Sequence, residues 1–467
     1  MPSLKIRRID CDSPQASAQL KRLREQFNLD HGETLTAKEK KQSQAVFNKV
    51  LTPAQAAREI CDTVSAKGLS AVAKYSKQFD GFNLTANNIR VTPEEMKEAY
   101  KAADKEFLDA VRAIRDNVLE FQSGILHTDA ELRVHLRQEI HLRYKPRRRV
   151  GFYIPAGQAP LPSTLLMTVC PAQAAGVKEF VVMMPPAGAD NPDMLAVCYM
   201  LGLHEHEVYR VGGAQAVAAM AYGLPEAKLD PVGMIVGPGN LYVTLAKQYV
   251  QNQVAIDCPA GPSEVIVVGD QTSPPHYLAS DLLAQAEHSV TAKSLLVTWH
   301  EPLLDEVQTA LEKQIDKLER SDTIRSSLEK NGAFVRVEDM DAAIELVNDL
   351  APEHLHVQVR EYEVFSDEIE NAGAIFLDKW SPVALGDYAA GPSHVLPTGR
   401  SARYASGLTS NDFLKRLSVL AFTRNGLREI ADEVMLMAHR EGLTAHEASV
   451  RIRLDENPTQ APKPKKR

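Results

Sequence analysis

Cysteine is scarce in this chain. Cys11, Cys61, Cys170, Cys198 and Cys258 are widely spread, and no two fall in a C-x-x-C spacing. An odd, scattered set excludes a disulfide framework and a cysteine zinc site, and it fits a reducing compartment. Long apolar runs are missing as well. The most apolar stretch, 161–184, is interrupted by Pro171, Lys178 and Glu179, so it is too broken to span a membrane. No apolar segment follows the basic residues Lys5, Arg7 and Arg8, and the expectation is no signal peptide and a cytoplasmic location. Positive charge is in the minority. Lys and Arg number 53 against 61 Asp and Glu, a net charge of −8, which argues against general binding to nucleic acid or anionic membranes. Two short basic runs, at 145–149 and in the Lys-rich tail, read as a solvated loop and a loose end. A G-x-G-x-x-G fingerprint is absent too, so any dinucleotide must be held otherwise than in the usual Rossmann mode.

What is present is an ordinary globular composition, 44% hydrophobic and 24% charged over 467 residues. At about 150 residues per domain this suggests about three domains. The first part, to about Leu126, is charged and helix-patterned. Thr92-Pro93-Glu94-Glu95 reads as an N-cap, Pro at N1 and acids in the first turn, opening a helix through Ala103. Thr52-Pro53 opens another through Ala66, and 105–121 is a third helical run. Near Gly151 the texture changes. Strands at 149–154, 180–184, 207–211 and 232–236 alternate with helices at 163–176, 194–203, 214–222 and 241–250. Further strands at 265–268, 294–298 and 374–377 alternate with helices at 275–288, 303–318 and 340–350. Such alternation predicts a doubly wound α/β fold with parallel sheets. From about Ser410 the chain reads as mostly helical, and 458–467 as an unpacked tail.

Four segments can carry chemistry. Gln285 and His288 are three apart and share a helix face, offering an oxygen and a nitrogen to a metal, with Ser280 or Asp281 near that helix's start. Alone, such a pair is more often a solvated face. Glu353 and His354 follow Pro352 on a turn and are two candidate bases side by side. His356, two residues on in a strand, reads as structural or solvated. The Gly/Pro-bounded loop 381–394 holds Asp387, a metal ligand or helix N-cap, and His394. Glu441 and His446 flank the start of a terminal helix with Thr444 as its N-cap. For each segment the bland structural reading leads on its own residues. For a cofactor, Val211-Gly212-Gly213-Ala214-Gln215 and Val236-Gly237-Pro238-Gly239-Asn240 each follow a strand and precede a helix. Two such turns in one α/β domain favour a nucleotide.

In this order the runs VGGAQAVAA, IVGPGN, AGPSEV, DLLAQAEH, APEHL, GDYAAGPSHVLPT and EGLTAH resemble the histidinol dehydrogenase family, which performs the last steps of histidine biosynthesis. The resemblance runs from about Lys5 to Leu454. It implies two incomplete Rossmann-like parallel-sheet domains with small helical extensions at both ends. The implied boundaries are an N-terminal extension 1–30, a zinc and catalytic domain 31–150 plus 263–407, an NAD-binding domain 151–262 and a C-terminal extension 408–467.

It also implies zinc on Gln285, His288, Asp387 and His446, and a catalytic pair Glu353 and His354. Ser263, Glu441 and His394 correspond to substrate-pocket positions, with the zinc ligands and His354 also touching substrate. Tyr153, Gln215 and Asn240 correspond to NAD contacts. The implied reaction oxidises L-histidinol to L-histidine with two NAD. The implied assembly is a homodimer in which Glu441 and His446 serve the partner's site. Ala156, Met234, Cys258 and Ser393 depart from the family's usual residues, but none is a proposed ligand or base. A relative acting on another alcohol, such as a sulfonated propanediol, is the alternative; Glu441 and the GPSE run favour a cationic amino alcohol over it. A non-catalytic zinc scaffold is disfavoured because every ligand and base position is filled.

Overall fold

The structure, a computed structural model, describes residues 3–29, 32–33, 35–132, 138–156, 160–259 and 261–455. The expected loose tail at 458–467 and part of the loop after Tyr153 lie outside the described residues. Along the chain the strands are β1 (Arg7–Asp10), β2 (Ala130–Leu132), β3 (Gln138–Pro146), β4 (Arg149–Tyr153), β5 (Glu179–Met184), β6 (Glu207–Arg210) and β7 (Met234–Val236). Then come β8 (Ala255–Ile256), β9 (Glu264–Gly269), β10 (Lys293–Thr298), β11 (Ala333–Arg336), β12 (His354–Gln358), β13 (Ala374–Leu377) and β14 (Leu414–Phe422). The chain divides into two compact units. One holds Met1–Leu126 with Arg147–Phe413, the other His127–Pro146 with Leu414–Arg467.

The first unit contains two parallel sheets. One has the order β6-β5-β4-β7-β8, the other β1-β11-β10-β9-β12-β13. In the six-stranded sheet every residue of β9 and β10 is buried. Val265 and Val267 pack into one core with Leu282 and Val307, while Ile266 and Val268 pack into another with Leu23 and Leu346. The period of two divides a continuous apolar run between two helical layers, as a doubly covered parallel sheet requires.

The helices begin where their caps predict. Thr52 and Thr92 both close capping boxes, with Pro at N1, on Pro53–Lys67 and Pro93–Ala102. Ser280 and Asp281 do not start a helix. Pro275–Ala286 has already run a turn before them, because Pro274-Pro275 sets its entry.

The grouping of segments differs from the expected boundaries. Ile60, Val64, Val72 and Tyr75 share a core with Val181, Met183, Val217 and Ile235, so 53–79 packs on the five-stranded sheet and not with 263–407. The 127–146 stretch belongs to the second unit. The N-terminal segment is no extension. β1 pairs with β11, and Leu23 and Phe27 of the helix Ala16–Phe27 are fully buried in the six-stranded sheet's core. The C-terminal region is not mostly helical at its start either. β14 pairs antiparallel with β3 over nine residues, in a three-stranded sheet β14-β3-β2, followed by the helices Ala431–Arg440 and Thr444–Asp455. Most of β14 is exposed, and it lacks the apolar–polar alternation that marks a half-buried strand.

Candidate active site

β9 and β12 are neighbours in the six-stranded sheet, with His354 opposite Val265. That register brings Ser263-Glu264 and Glu353-His354 abreast at the amino ends of the strands. The turn into β12 is built for it. Ala351 takes a left-handed conformation at φ 45° as the helix Met340–Leu350 ends, and Pro352 follows. A Cβ on Gly373 would lie 2.6 Å from the Glu353 carbonyl oxygen, so only glycine lets the next strand approach so closely. The helix between β9 and β10 runs back to the amino edge, which delivers Gln285 in its last turn and His288 just past it to the same place.

These residues form one hydrogen-bonded cluster. The Ser263 hydroxyl donates to Glu353 Oε2 at 2.6 Å, and the Glu264 amide donates to the same oxygen at 2.9 Å. Gln285 Nε2 donates to Ser263 Oγ at 2.6 Å. His354 Nδ1 lies 3.2 Å from the Glu264 carbonyl oxygen. A carbonyl can only accept, so Nδ1 carries the proton and Nε2 keeps its lone pair. That Nε2 is 3.9 Å from Asp387 Oδ1. Burial pushes the Glu353 carboxyl up to about 7, against the opposing bonds from Ser263 and Glu264. Burial lowers His354, so its ring is neutral near pH 7. His394 is lowered to about 4 for the same reason, and its Nε2 is 3.4 Å from Thr164 Oγ1. A cavity of about 390 Å³ opens between His354, His394, Phe376 and Leu385.

Asp387 lies inside the short helix Ala384–Tyr388 and is not an N-cap. Its side chain is 15% exposed, open enough to serve a ligand. His288 is exposed, with Nδ1 3.1 Å from the Ala284 carbonyl; Nε2 is then the nitrogen available to a metal. His356 is fully buried and structural, paired through Nδ1 with Asp281 at 2.9 Å and through Nε2 with the Asp378 carbonyl at 3.0 Å.

Glu264 was not a sequence candidate, although its backbone amide donates to one candidate base, Glu353, and its backbone carbonyl accepts from the other, His354. Its carboxyl is fully buried, 3.1 Å from Lys293 Nζ, and accepts from the Gly399 amide at 3.0 Å. An acid opening an otherwise apolar strand was the available signal.

In the five-stranded sheet, β4 connects onward to β5 and β6 on one side while β7 lies on its other side. The strand order therefore reverses between β4 and β7, where α/β sheets open a ligand crevice at the carboxyl ends. Tyr153 ends β4, and Gly237 follows β7. Tyr153 is buried, and its hydroxyl accepts the Gly213 amide at 3.1 Å. Gln215 is buried with neither amide atom hydrogen-bonded. Asn240 caps the helix Leu241–Val250 through Val243 N at 3.2 Å and is exposed. The three expected NAD positions thus gather at one edge.

The sequence model of the histidinol dehydrogenase family matches residues 41–454. The chain belongs to the histidinol dehydrogenase family. It is 46% identical to the histidinol dehydrogenase of Rhodopirellula baltica, over 97% of this chain and 99% of that one. It is 42% identical to the enzyme of Heliobacterium mobile, over 85% and 92%. In three dimensions it is similar to the crystal structure of histidinol dehydrogenase from Elizabethkingia anophelis, with a TM-score of 0.85, 30% identity and coverage of 97% and 99%. Of the ligands and substrate contacts that the histidinol dehydrogenase family implies, Glu441 and His446 lie in the second unit, exposed, after and on its last two helices. Among the described residues no three His, Cys, Asp or Glu side chains cluster as a metal site. In the first unit the family set supplies one imidazole, one carboxylate and an amide. No helix among the described residues is long and apolar enough to cross a membrane.

Proposed function

We propose that this chain is an NAD-dependent, zinc-holding oxidoreductase that takes L-histidinol through L-histidinaldehyde to L-histidine in a single site. The observation that carries the reading is the Ser263–Glu353–His354 cluster beside the buried, unpaired Oε1 of Gln285. An orphaned buried amide oxygen costs free energy unless something binds it, and a divalent cation is a fitting partner. Gln285, His288 and Asp387, with His446 from the partner subunit of a homodimer, would hold the zinc. The unpaired amide of buried Gln215, near Tyr153 and Asn240, suits NAD in the same way. When bound, zinc would keep the substrate's amine and imidazole in place, and NAD would accept hydride in each half.

His354 serves the first half. With Nδ1 committed to the Glu264 carbonyl and the ring neutral, Nε2 takes the alcohol proton as hydride leaves the carbon and the C=O bond forms. Glu353 serves the second. A carboxyl near 7 is partly ionised at neutral pH, and it removes a proton from water as the water oxygen bonds to the aldehyde carbon. Hydride loss from the resulting hydrate anion would leave the carboxylic acid, which ionises to the carboxylate, a second NAD being the acceptor. Ser263 holds Glu353 and Gln285 at once, which fixes base and ligand relative to each other. Glu441 of the partner would meet the substrate's cationic end. Keeping the aldehyde within one enclosed site limits side reactions with water.

The test is metal-replete turnover with L-histidinol and NAD, following NADH and histidine together. Two NADH per histidine are expected. Glu353→Gln should slow oxidation of supplied L-histidinaldehyde by about 10²–10⁴-fold, the usual worth of a positioned base. NADH formed from a sulfonated diol but not from histidinol would move the chain to another alcohol on the same scaffold.

A further inference from the structure

We propose that Lys247 and Asp257 are positioning residues that clamp the Gly237–Asn240 turn in the shape that receives NAD. The inference rests on the NAD-dependent reading above. Both side chains are almost wholly buried, 4% and 0% exposed, and they pair with each other. Both also bind the same peptide unit region. Asp257 Oδ2 accepts the Gly237 amide at 2.7 Å, and Lys247 Nζ donates to the Gly237 carbonyl at 2.9 Å. One glycine is thus held by its donor and its acceptor at once. Gly237 sits at φ +116°, where other residues are strained, and a Cβ there would meet the Tyr153 carbonyl oxygen at 2.1 Å. The clamped residue therefore abuts Tyr153, whose hydroxyl closes the second glycine turn at Gly213, next to Gln215.

The location is also informative. Gly237 follows β7 at the point where the strand order reverses, and the turn ends in the helix cap Asn240. Lys247 comes from that same helix, and Asp257 from just past β8. The pair ties strand end, turn and helix into one piece. Stability alone is a weak reason for it. Desolvation largely offsets the attraction of a buried ion pair, and well-packed apolar replacements are often as stable. Fixing one backbone geometry is a benefit that an apolar pair would not provide.

The test is calorimetric titration of NAD into the metal-replete wild type, Lys247→Met and the neutral double variant Lys247→Met/Asp257→Asn, with KM measured for both substrates. The double variant leaves no unpaired buried charge, so it covers the case in which Lys247→Met alone fails to fold. Expected are at least a tenfold weaker NAD affinity and a matching rise in the NAD KM, with the histidinol KM and the metal content unchanged. Wild type that binds NAD alongside a folded variant with unaltered NAD affinity overturns the clamp alone. Parallel loss of NAD and histidinol binding marks a merely structural pair and also overturns it. A wild type that binds no NAD overturns the underlying reading and this inference with it.

Discussion

Glu353 and Glu264 are neighbouring carboxyls in one buried cluster, and each is pushed up to about 7 by desolvation. Their partners differ. Glu353 accepts from a hydroxyl and an amide, whereas Glu264 faces the Lys293 ammonium. Lys293→Met leaves Glu264 buried without its cation and should destabilise the fold by about 3–5 kcal/mol, read as a drop in the urea midpoint. For Glu353 the folded state binds the proton more tightly than the unfolded chain, whose carboxyl titrates near 4.5. Its contribution to stability is therefore full below that value and is lost as pH rises through about 7. Glu353→Gln should thus gain on wild type in melting temperature between about pH 5 and about pH 8. A gap that is constant with pH would contradict the raised carboxyl. His394 has the opposite sign. Held near 4 against an ordinary 6.5, it supports the fold above the latter and withdraws that support as pH falls. In catalysis, the aldehyde half-reaction should rise with pH through about 7 as Glu353 ionises, and Glu353→Gln should abolish that limb of the profile.

The helix Ala16–Phe27 shows how a segment's environment overrides its appearance. Its sequence is mostly polar, yet Leu23 and Phe27 are fully buried against the six-stranded sheet. Phe27→Ala should cost about 3–5 kcal/mol by thermal or urea unfolding, a loss that a dangling extension would not produce. Thr92→Ala removes the capping box of Pro93–Ala102 and should cost about 0.5–2 kcal/mol by the same measurement. The helices 241–250 and 340–350 and the strand 374–377 were legible to the residue, because their apolar periods and caps agree. β1 escaped because three of its four residues are charged, and β14 because most of it is exposed. The two sheets also use opposite edges. The NAD candidates lie at the carboxyl ends of β4 and β7, the proposed catalytic pair at the amino ends of β9 and β12. At the carboxyl end of β9 a polar lock fills the space: Asp270 accepts the Arg360 amide at 2.9 Å, and Ser273 donates to the Gln358 carbonyl at 2.6 Å.

With Glu441 and His446 in a separate unit, the proposed partner contribution can be tested by mixing chains. In the proposed homodimer, Glu353→Gln and His446→Ala chains are each expected to be inactive on their own. If His446 serves the partner subunit, subunit exchange between them should restore about a quarter of wild-type activity, because half the dimers are mixed and each mixed dimer holds one intact site. No recovery after demonstrated exchange would assign His446 to its own chain's site.

The candidate site residues, the parallel α/β class and the family were all readable from the chain, since motif spacing and apolar period are local properties. Folding decided the rest. It brought Ser263, Gln285, Glu353 and Asp387 together across more than a hundred residues. It placed 53–79 on one sheet and 16–27 on the other. It also supplied Glu264, Lys247 and Asp257 with their roles, which depend on what faces a side chain once water has been excluded, and no local pattern records that.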